Sequence, residues 1–223
     1  MKMTLYTVAT PIGNMEDMSF RAVRILNGVD LIACEDTRET AKLLQQYYIG
    51  EKEMVSYHAQ SKDSREDEIL QRLRDGASVA LISDRGTPGI SDPGSRLIRR
   101  AVEAGITVVP IPGPTALITA LQAGGVDTSS FLYLGFMPHK KGRQTLFTEI
   151  AESARTVVFY ESPHRILKTL ESLQESGKQV VLGRELTKMH EEFLRGTAEE
   201  LFNDLSGRPS IKGEFVVIVQ PNA

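Results

Sequence analysis

Between Ser83 and Gly94 the sequence reads Ser-Asp-Arg-Gly-Thr-Pro-Gly-Ile-Ser-Asp-Pro-Gly, with three glycines, two prolines and two aspartates. Glycines let a ligand approach the backbone closely, and prolines hold such a loop in one shape. The segment directly follows an apolar run, and Asp84, at that run's end, can accept hydrogen bonds from an ammonium or hydroxyl group. The structural alternative is a compact turn in which Ser91 or Asp92 caps the next helix. Two shorter segments are built alike. Thr10-Pro11-Ile12-Gly13-Asn14 reads as a turn when taken alone, and so does Pro112-Gly113-Pro114-Thr115-Ala116. The second of these also opens a helix, where backbone amides and the Thr115 hydroxyl suit a ligand.

What makes the three segments more than turns is the set of elements before them. Short apolar runs lie at Thr4–Ala9, Asp30–Cys34, Met54–Tyr57, Val79–Ile82 and Thr107–Ile111. Polar, periodic stretches near Ser19–Leu26, Thr37–Tyr47, Ser64–Arg74 and Ser95–Ala104 separate them. Buried strands joined by crossover helices describe a parallel sheet, since parallel strands cannot be joined by tight hairpins. All three loops follow strands of that sheet, so they are expected to converge on its carboxyl edge, where α/β sheets bind ligands.

Pro110–Pro114 interrupts the rhythm, a helix follows over Thr115–Ala123, and the domain boundary is placed at Gly124-Gly125. The expected domains are 1–124 and 125–223. The second has strands near Phe131–Phe136, Thr156–Tyr160, Gln179–Gly183 and Phe215–Val219, with a further candidate at Glu191–Arg195. Ile166, Leu167, Leu170 and Leu173 mark a helix over Pro163–Glu175, with proline in its first turn. A short helix is expected over Ala198–Leu205. Fewer crossover helices than in the first half point to a mixed sheet.

Composition sets outer bounds. The 223 residues are 41% hydrophobic and 25% charged, enough for a real core and too ordered in character for disorder. One cysteine, Cys34, excludes an internal disulfide and suits a reducing cytoplasm. No apolar run reaches the roughly 18 residues of a membrane span, and Met1-Lys2-Met3-Thr4 does not resemble a signal peptide. The net charge of −3 disfavours broad nucleic-acid binding without excluding a local basic patch. G-x-G-x-x-G and P-loop fingerprints are missing, as is a nucleophile elbow, and the cysteine and four histidines are too scattered to bind a metal.

Together with Ala33-Cys34-Glu35-Asp36-Thr37-Arg38, the three loops resemble the tetrapyrrole methylase superfamily of methyltransferases. Within it the chain is similar to the ribosomal RNA small subunit methyltransferase I family. Phe131–Pro138, Tyr160-Glu161-Ser162-Pro163-His164-Arg165, Gly183–Lys188 and Gly213-Glu214-Phe215 extend the resemblance over nearly the whole chain. It implies a class III methyltransferase of two α/β domains, with S-adenosylmethionine in a cleft between them, assembled as a homodimer. Cofactor contacts carried over are Pro11, Asp84, Gly86, Thr87, Ile90, Thr115 and Ala116, with the backbone near Tyr160 and Gly213. The implied reaction methylates the ribose 2′-hydroxyl of a cytidine in 16S rRNA of the small subunit. Alternatives are methylation of a small molecule or protein, as on corrin-type rings or diphthamide precursors, and a non-catalytic binder of the cofactor. Arg85 stands where family members usually have alanine, and it is expected to turn toward RNA phosphate or a dimer partner. Many family members continue past the last strand into a small helical module; with the sequence read to Ala223, no RNA grip from such a module is expected here.

Methyl transfer from a sulfonium is an in-line displacement without a metal, and it needs the acceptor oxygen held close and its proton removed. Candidate groups are Glu35, Asp36, His58, Lys140, Glu161, His164, Arg165, Arg184 and Glu185. Glu35, Asp36, Glu161 and Arg165 are expected to shape the substrate side; the base itself stays unassigned. Asp36 with Glu39 also fits a helix capping box. Arg85, Lys140, Lys141 and Arg143 are the expected RNA contacts, a solvated loop being the rival for the last three. A buried ion pair is the rival for His164 and Arg165, pairing with neighbours for Arg184 and Glu185, and a structural role for His58.

Overall fold

The computed structural model describes residues 3–222. The chain separates into two compact units, Met1–Thr115 and Ala116–Ala223.

In the first unit, β1 (Thr4–Val8), β2 (Leu31–Cys34), β3 (Glu53–Ser56), β4 (Ser78–Leu81) and β5 (Thr107–Ile111) form one sheet in the order β3-β2-β4-β1-β5. Every pairing is parallel. The crossovers are α1 (Phe20–Gly28), α2 (Thr37–Gln46), α3 (Asp63–Arg74) and α4 (Ser95–Glu103). Strand alternation explains why β2 and β4 are buried at every position. Ile32, Cys34 and Ala80 enter a core with Ala22, Leu26 and Leu44, while Leu31, Ala33, Val79 and Leu81 enter another with Ile69, Leu73 and Leu97. A sheet covered by helices on both faces needs apolar residues on both faces.

α5 (Ala116–Gly124) begins the second unit and packs on two of its strands. That unit's sheet joins β6 (Phe131–Phe136), β7 (Thr156–Glu161), β8 (Gln179–Arg184), β9 (Glu192–Thr197) and β10 (Phe215–Val219) in the order β6-β7-β10-β8-β9. Only the β6–β7 pairing is parallel, so the sheet is mixed, as expected. α6 (Arg143–Glu152), α7 (Ile166–Gln174) and α8 (Ala198–Ser206) accompany the strands, and all three contribute to a core with Val157, Phe159, Leu182 and Val217.

Three sequence readings shift. The compact units divide at the start of α5 and not at its end, Gly124, because α5 packs on β10 and β8; a Cβ at Gly124 would lie 3.1 Å from Ile218 Cδ1. α7 begins at Ile166, not at Pro163. The Ser162 carbonyl accepts from both Arg165 and Ile166, and Arg165 at φ −119° breaks the helical run. Neither Ser91 nor Asp92 caps α4, whose N-cap is Gly94.

Candidate functional site

The three loops singled out in the sequence meet at the carboxyl edge of the first unit's sheet. Thr10 and Gly86 exchange both backbone hydrogen bonds, 2.9 and 3.1 Å, and the Thr10 hydroxyl donates to the Ser83 carbonyl at 3.1 Å. Thr87 Oγ1 donates to the Pro114 carbonyl at 3.1 Å, tying the second loop to the third. The backbone of Ala9, at the end of β1, donates to the Ile111 carbonyl at 3.2 Å. Gly86 has φ +78°, a conformation that disfavours a side chain, and a Cβ there would meet Ile12 and the Pro114 carbonyl at 3.4 and 3.9 Å. Ser91, also left-handed at φ +59°, shows that the long loop is held in an unusual shape and does not relax into a simple turn.

The Glu35–Arg38 segment joins this edge. The backbone amide of Asp36 donates to Asp84 Oδ1 at 3.1 Å, across 48 residues of sequence. Asp36 is the N-cap of α2, accepting from the Arg38 amide at 2.8 Å and pairing with the Arg38 guanidinium at 2.7 Å. The expected capping box is only half present, since Glu39 pairs with Lys42. The Asp84 carboxylate takes the amide that Glu39 would have reached.

Three carboxylates, Glu35, Asp84 and Asp92, gather here with too little compensating charge. Burial, then the Asp84 charge, pushes the Glu35 carboxyl up. Burial, then the Glu35 charge, pushes Asp92 to about 7. Asp36 goes the other way, held below the usual carboxylate range by its hydrogen bonds to Arg38. A concentration of negative charge under partial burial favours a cation. Pro11 and Gly86 are buried at this edge, Thr87 and Thr115 half-buried, and Asp84, Arg85 and Ile90 exposed. His58 is exposed beside the edge; its backbone amide donates to Ser61 Oγ at 2.9 Å.

In the second unit the candidates form a different construction. Glu161, whose side chain is wholly buried, ends β7. Its carboxylate receives Arg165 at 2.7 Å, Arg143 at 3.0 Å, the Thr169 hydroxyl at 2.7 Å and the Ser162 amide at 2.8 Å. The two arginines reach onward to loop carbonyls: Arg165 to Met137 at 2.9 Å, Arg143 to Pro138 at 3.2 Å. This corrects two expectations. Glu161 and Arg165 are committed to a buried ion-pair node, so neither is free to meet substrate. Arg143, expected at RNA phosphate, is turned inward beneath the loop with its guanidinium over the Phe147 ring. The rival reading of Arg165 as half of a buried ion pair describes what is seen; His164 itself is exposed. Lys140 and Lys141 are exposed and form no ion pair among the described residues.

Tyr160, half-buried, accepts a hydrogen bond from the Leu117 amide at 3.1 Å, next to Ala116. Gly213 precedes β10, whose Phe215 and Val216 pair with Glu161 and Tyr160. Arg184 pairs with Glu192 and Glu185 with Lys188, as their neighbour-pairing alternative has it. Gly213 and Glu185 are tightly apposed, and a Cβ on Gly213 would overlap Glu185 Cγ. The sequence reading missed Asp92 as a member of the acidic group and Thr169 as a partner of Glu161. For Asp92 the signal was present: it is the second aspartate of a loop already marked.

Comparison with known proteins agrees with this architecture. The model of the tetrapyrrole (corrin/porphyrin) methylases matches residues 4–201. A ribosomal RNA small subunit methyltransferase I of Halalkalibacterium halodurans is 48% identical over 99% of this chain and 77% of its own length. Its counterpart in a Hydrogenobaculum species is 45% identical over 97% and 95%. Among solved structures, a cobalt precorrin-4 methyltransferase superposes with a TM-score of 0.71 at 16% identity, over 98% of this chain and 95% of its own. A uroporphyrin-III C-methyltransferase from Thermus thermophilus, crystallised with S-adenosylhomocysteine, gives 0.64 at 16% identity, over 96% of both chains. The chain therefore belongs to the tetrapyrrole methylase family and, within it, to the ribosomal RNA small subunit methyltransferase I group.

Proposed function

We propose that the chain transfers the methyl group of S-adenosylmethionine to the ribose 2′-hydroxyl of a cytidine in 16S rRNA of the small ribosomal subunit. The observation that carries this reading is the meeting of the three loops over one sheet edge beside the Glu35–Asp84–Asp92 carboxylates. A sulfonium and an ammonium are the cationic groups of that cofactor, and a partly buried acidic cluster fits them. Pro11, Asp84, Gly86, Thr87, Ile90 and Thr115 would hold the cofactor, and the family resemblance adds Ala116, the backbone near Tyr160, and Gly213. When bound, the cofactor supplies an electrophilic methyl carbon activated by the adjacent positive sulfur.

The chain's own task is to orient the hydroxyl and take its proton. Asp36 is a weak base, since its carboxylate is held by Arg38. Glu35 is the better acceptor: burial and the nearby Asp84 charge raise its proton affinity. The Glu161 node acts at one remove, by holding the Met137–Pro138 backbone. Arg85, Lys140 and Lys141 are the residues assigned to RNA phosphate. Relatives 42–48% identical carry the ribosomal RNA name, which favours this substrate over a corrin ring or a protein; likeness to the corrin enzymes at 16% identity concerns the fold alone. A cytoplasmic homodimer accords with the family resemblance, and no described helix is long and apolar enough to cross a membrane.

The test is to incubate the protein with small ribosomal subunits and methyl-labelled cofactor, then digest the RNA to nucleosides. Label on the ribose of cytidine is expected. Label only on protein, on a base, or nowhere would overturn the reading.

A further inference from the structure

Phe136 departs from the pattern of its own strand. Leu132 and Leu134 point one way along β6 and pack on the second unit's core. By strict alternation Phe136 would follow them. Instead the β6–β7 register shifts between Tyr133 and Phe136, and Gly135 sits at φ +68°. Met137, 1% exposed, enters the core in place of Phe136, which is left 58% exposed. Bulges of this kind re-aim a side chain, and they recur beside functional sites.

The re-aimed ring is held firmly. It lies against Tyr160 with centroids 5.1 Å apart, and Tyr160 in turn meets Tyr133 edge-on at 5.5 Å. The Leu117 amide fixes the Tyr160 hydroxyl. Just beyond the ring, the Met137 amide donates to the Tyr160 carbonyl at 3.3 Å, and the two arginines of the Glu161 node clamp the Met137 and Pro138 carbonyls. The following residues, His139, Lys140 and Lys141, are exposed, and neither lysine forms an ion pair among the described residues. In a chain of net charge −3 this is a local, uncompensated positive cluster.

We propose that the Phe136–Tyr160 pair is a stacking platform for an unpaired nucleobase of the RNA substrate, with Lys140 and Lys141 taking the adjoining phosphates. The proposal rests on the rRNA methyltransferase reading and adds where the RNA is gripped. An exposed aromatic face beside cationic side chains is the combination that binds single-stranded nucleic acid, the base giving stacking and the backbone charge. A protein partner is the lesser fit, because docking on this surface would bury two lysines that have no partner here.

Two variants test it, Phe136→Ala and Phe136→Trp, in the full chain. The probe is a short single-stranded RNA carrying 2-aminopurine, whose fluorescence falls on stacking. Wild type and Phe136→Trp are expected to quench it and Phe136→Ala to lose the quench. The kcat/KM for small subunits is expected to fall about 5- to 150-fold in Phe136→Ala, the range of alanine substitutions at stacked bases. Phe136→Trp should keep most of the wild-type value, and both variants should keep the wild-type cofactor Kd and Tm. Undiminished quenching by Phe136→Ala, or a changed oligomeric state on sedimentation, would overturn the platform. A wild-type protein that quenches the probe yet methylates no rRNA would instead overturn the reaction assigned above.

Discussion

Replacing Glu161 by alanine removes one carboxylate and strands two cations. Arg143 and Arg165 keep only 16% and 18% of their side-chain surface exposed, so water cannot take over from the lost anion. Breaking a buried pair in this way costs about 3–5 kcal/mol, most of it the penalty of uncompensated buried charge. At about 2–4 °C per kcal/mol for a chain of this length, the melting temperature should drop by about 6–20 °C. The Thr169 hydroxyl, 2.7 Å from the carboxylate, loses its acceptor as well but can still donate to the Arg165 carbonyl. Glu161→Gln keeps the volume and one acceptor oxygen, and should lose about 1.5–3 kcal/mol, the worth of hydrogen bonds to a charged group. Replacing all three charges with apolar side chains, Arg143→Met with Glu161→Leu and Arg165→Met, should recover most of the stability. It should not recover RNA binding, because the Met137 and Pro138 carbonyls would have lost their clamps. Thermal and urea melts followed by circular dichroism read the first effect, and 2-aminopurine quenching reads the second. A Glu161→Ala protein within about 0.5 kcal/mol of wild type, the ordinary range for a surface change, would refute this account of the node.

Asp92 gives a pH prediction. Its folded pKa, about 7, lies above the ordinary aspartate value of 3.8, so its contribution to stability is full below the lower value and is lost as pH rises through the higher. Asp92→Asn should therefore melt higher than wild type at pH 8 and close to it at pH 4, and wild-type affinity for the cationic cofactor should rise between pH 6 and 8 in a way the variant does not show. In the first unit, Glu66 is wholly buried and receives Arg96 at 2.6 Å, Arg100 at 2.9 Å and the Tyr57 hydroxyl at 2.7 Å. Tyr57→Phe leaves both guanidinium groups in place and should cost about 1.5–3 kcal/mol in a urea melt, the worth of a hydrogen bond to a charged group. Glu66→Ala should cost more than that but less than Glu161→Ala, because Arg96 and Arg100 remain accessible to water and keep Asp63 and Asp67 as partners. Lys140→Ala and Lys141→Ala should each weaken RNA binding and reduce the slope of log K against log salt by about one.

The parallel sheet and its loops were legible because the strands are short runs set between helical stretches and three of them, β1, β4 and β5, are followed by segments rich in glycine and proline, which topology then forces to one edge. The motif residues carried the family. Partners distant in sequence were not legible. Nothing around Asp36 announces that its amide is taken by Asp84, and no local pattern joins Arg143 to Glu161. The boundary at Gly124 followed the glycine pair, whereas Leu117, Ala120 and Leu121 of α5 are buried against the strands that follow. Pro163 is permitted in a first turn, yet α7 starts only at Ile166, because the Ser162 amide is taken by Glu161 and its carbonyl accepts from both Arg165 and Ile166. A Thr197–Glu200 capping box does open α8, with both of its hydrogen bonds formed, although Asp36 and Glu39 were the pair suspected.

The central claim is that the first unit's sheet edge, closed by Gly86 and lined by Asp84, receives the cofactor. Calorimetric titration of S-adenosylmethionine into wild type, Gly86→Val and Asp84→Asn tests it most directly. Valine would fill the gap beside Ile12 and the Pro114 carbonyl, and asparagine would remove one charge without changing shape. Saturable binding by wild type, abolished in the first variant and weakened at least tenfold in the second, is the result expected, with melting curves showing both variants folded. Undiminished binding by both would place the cofactor elsewhere and contradict the account.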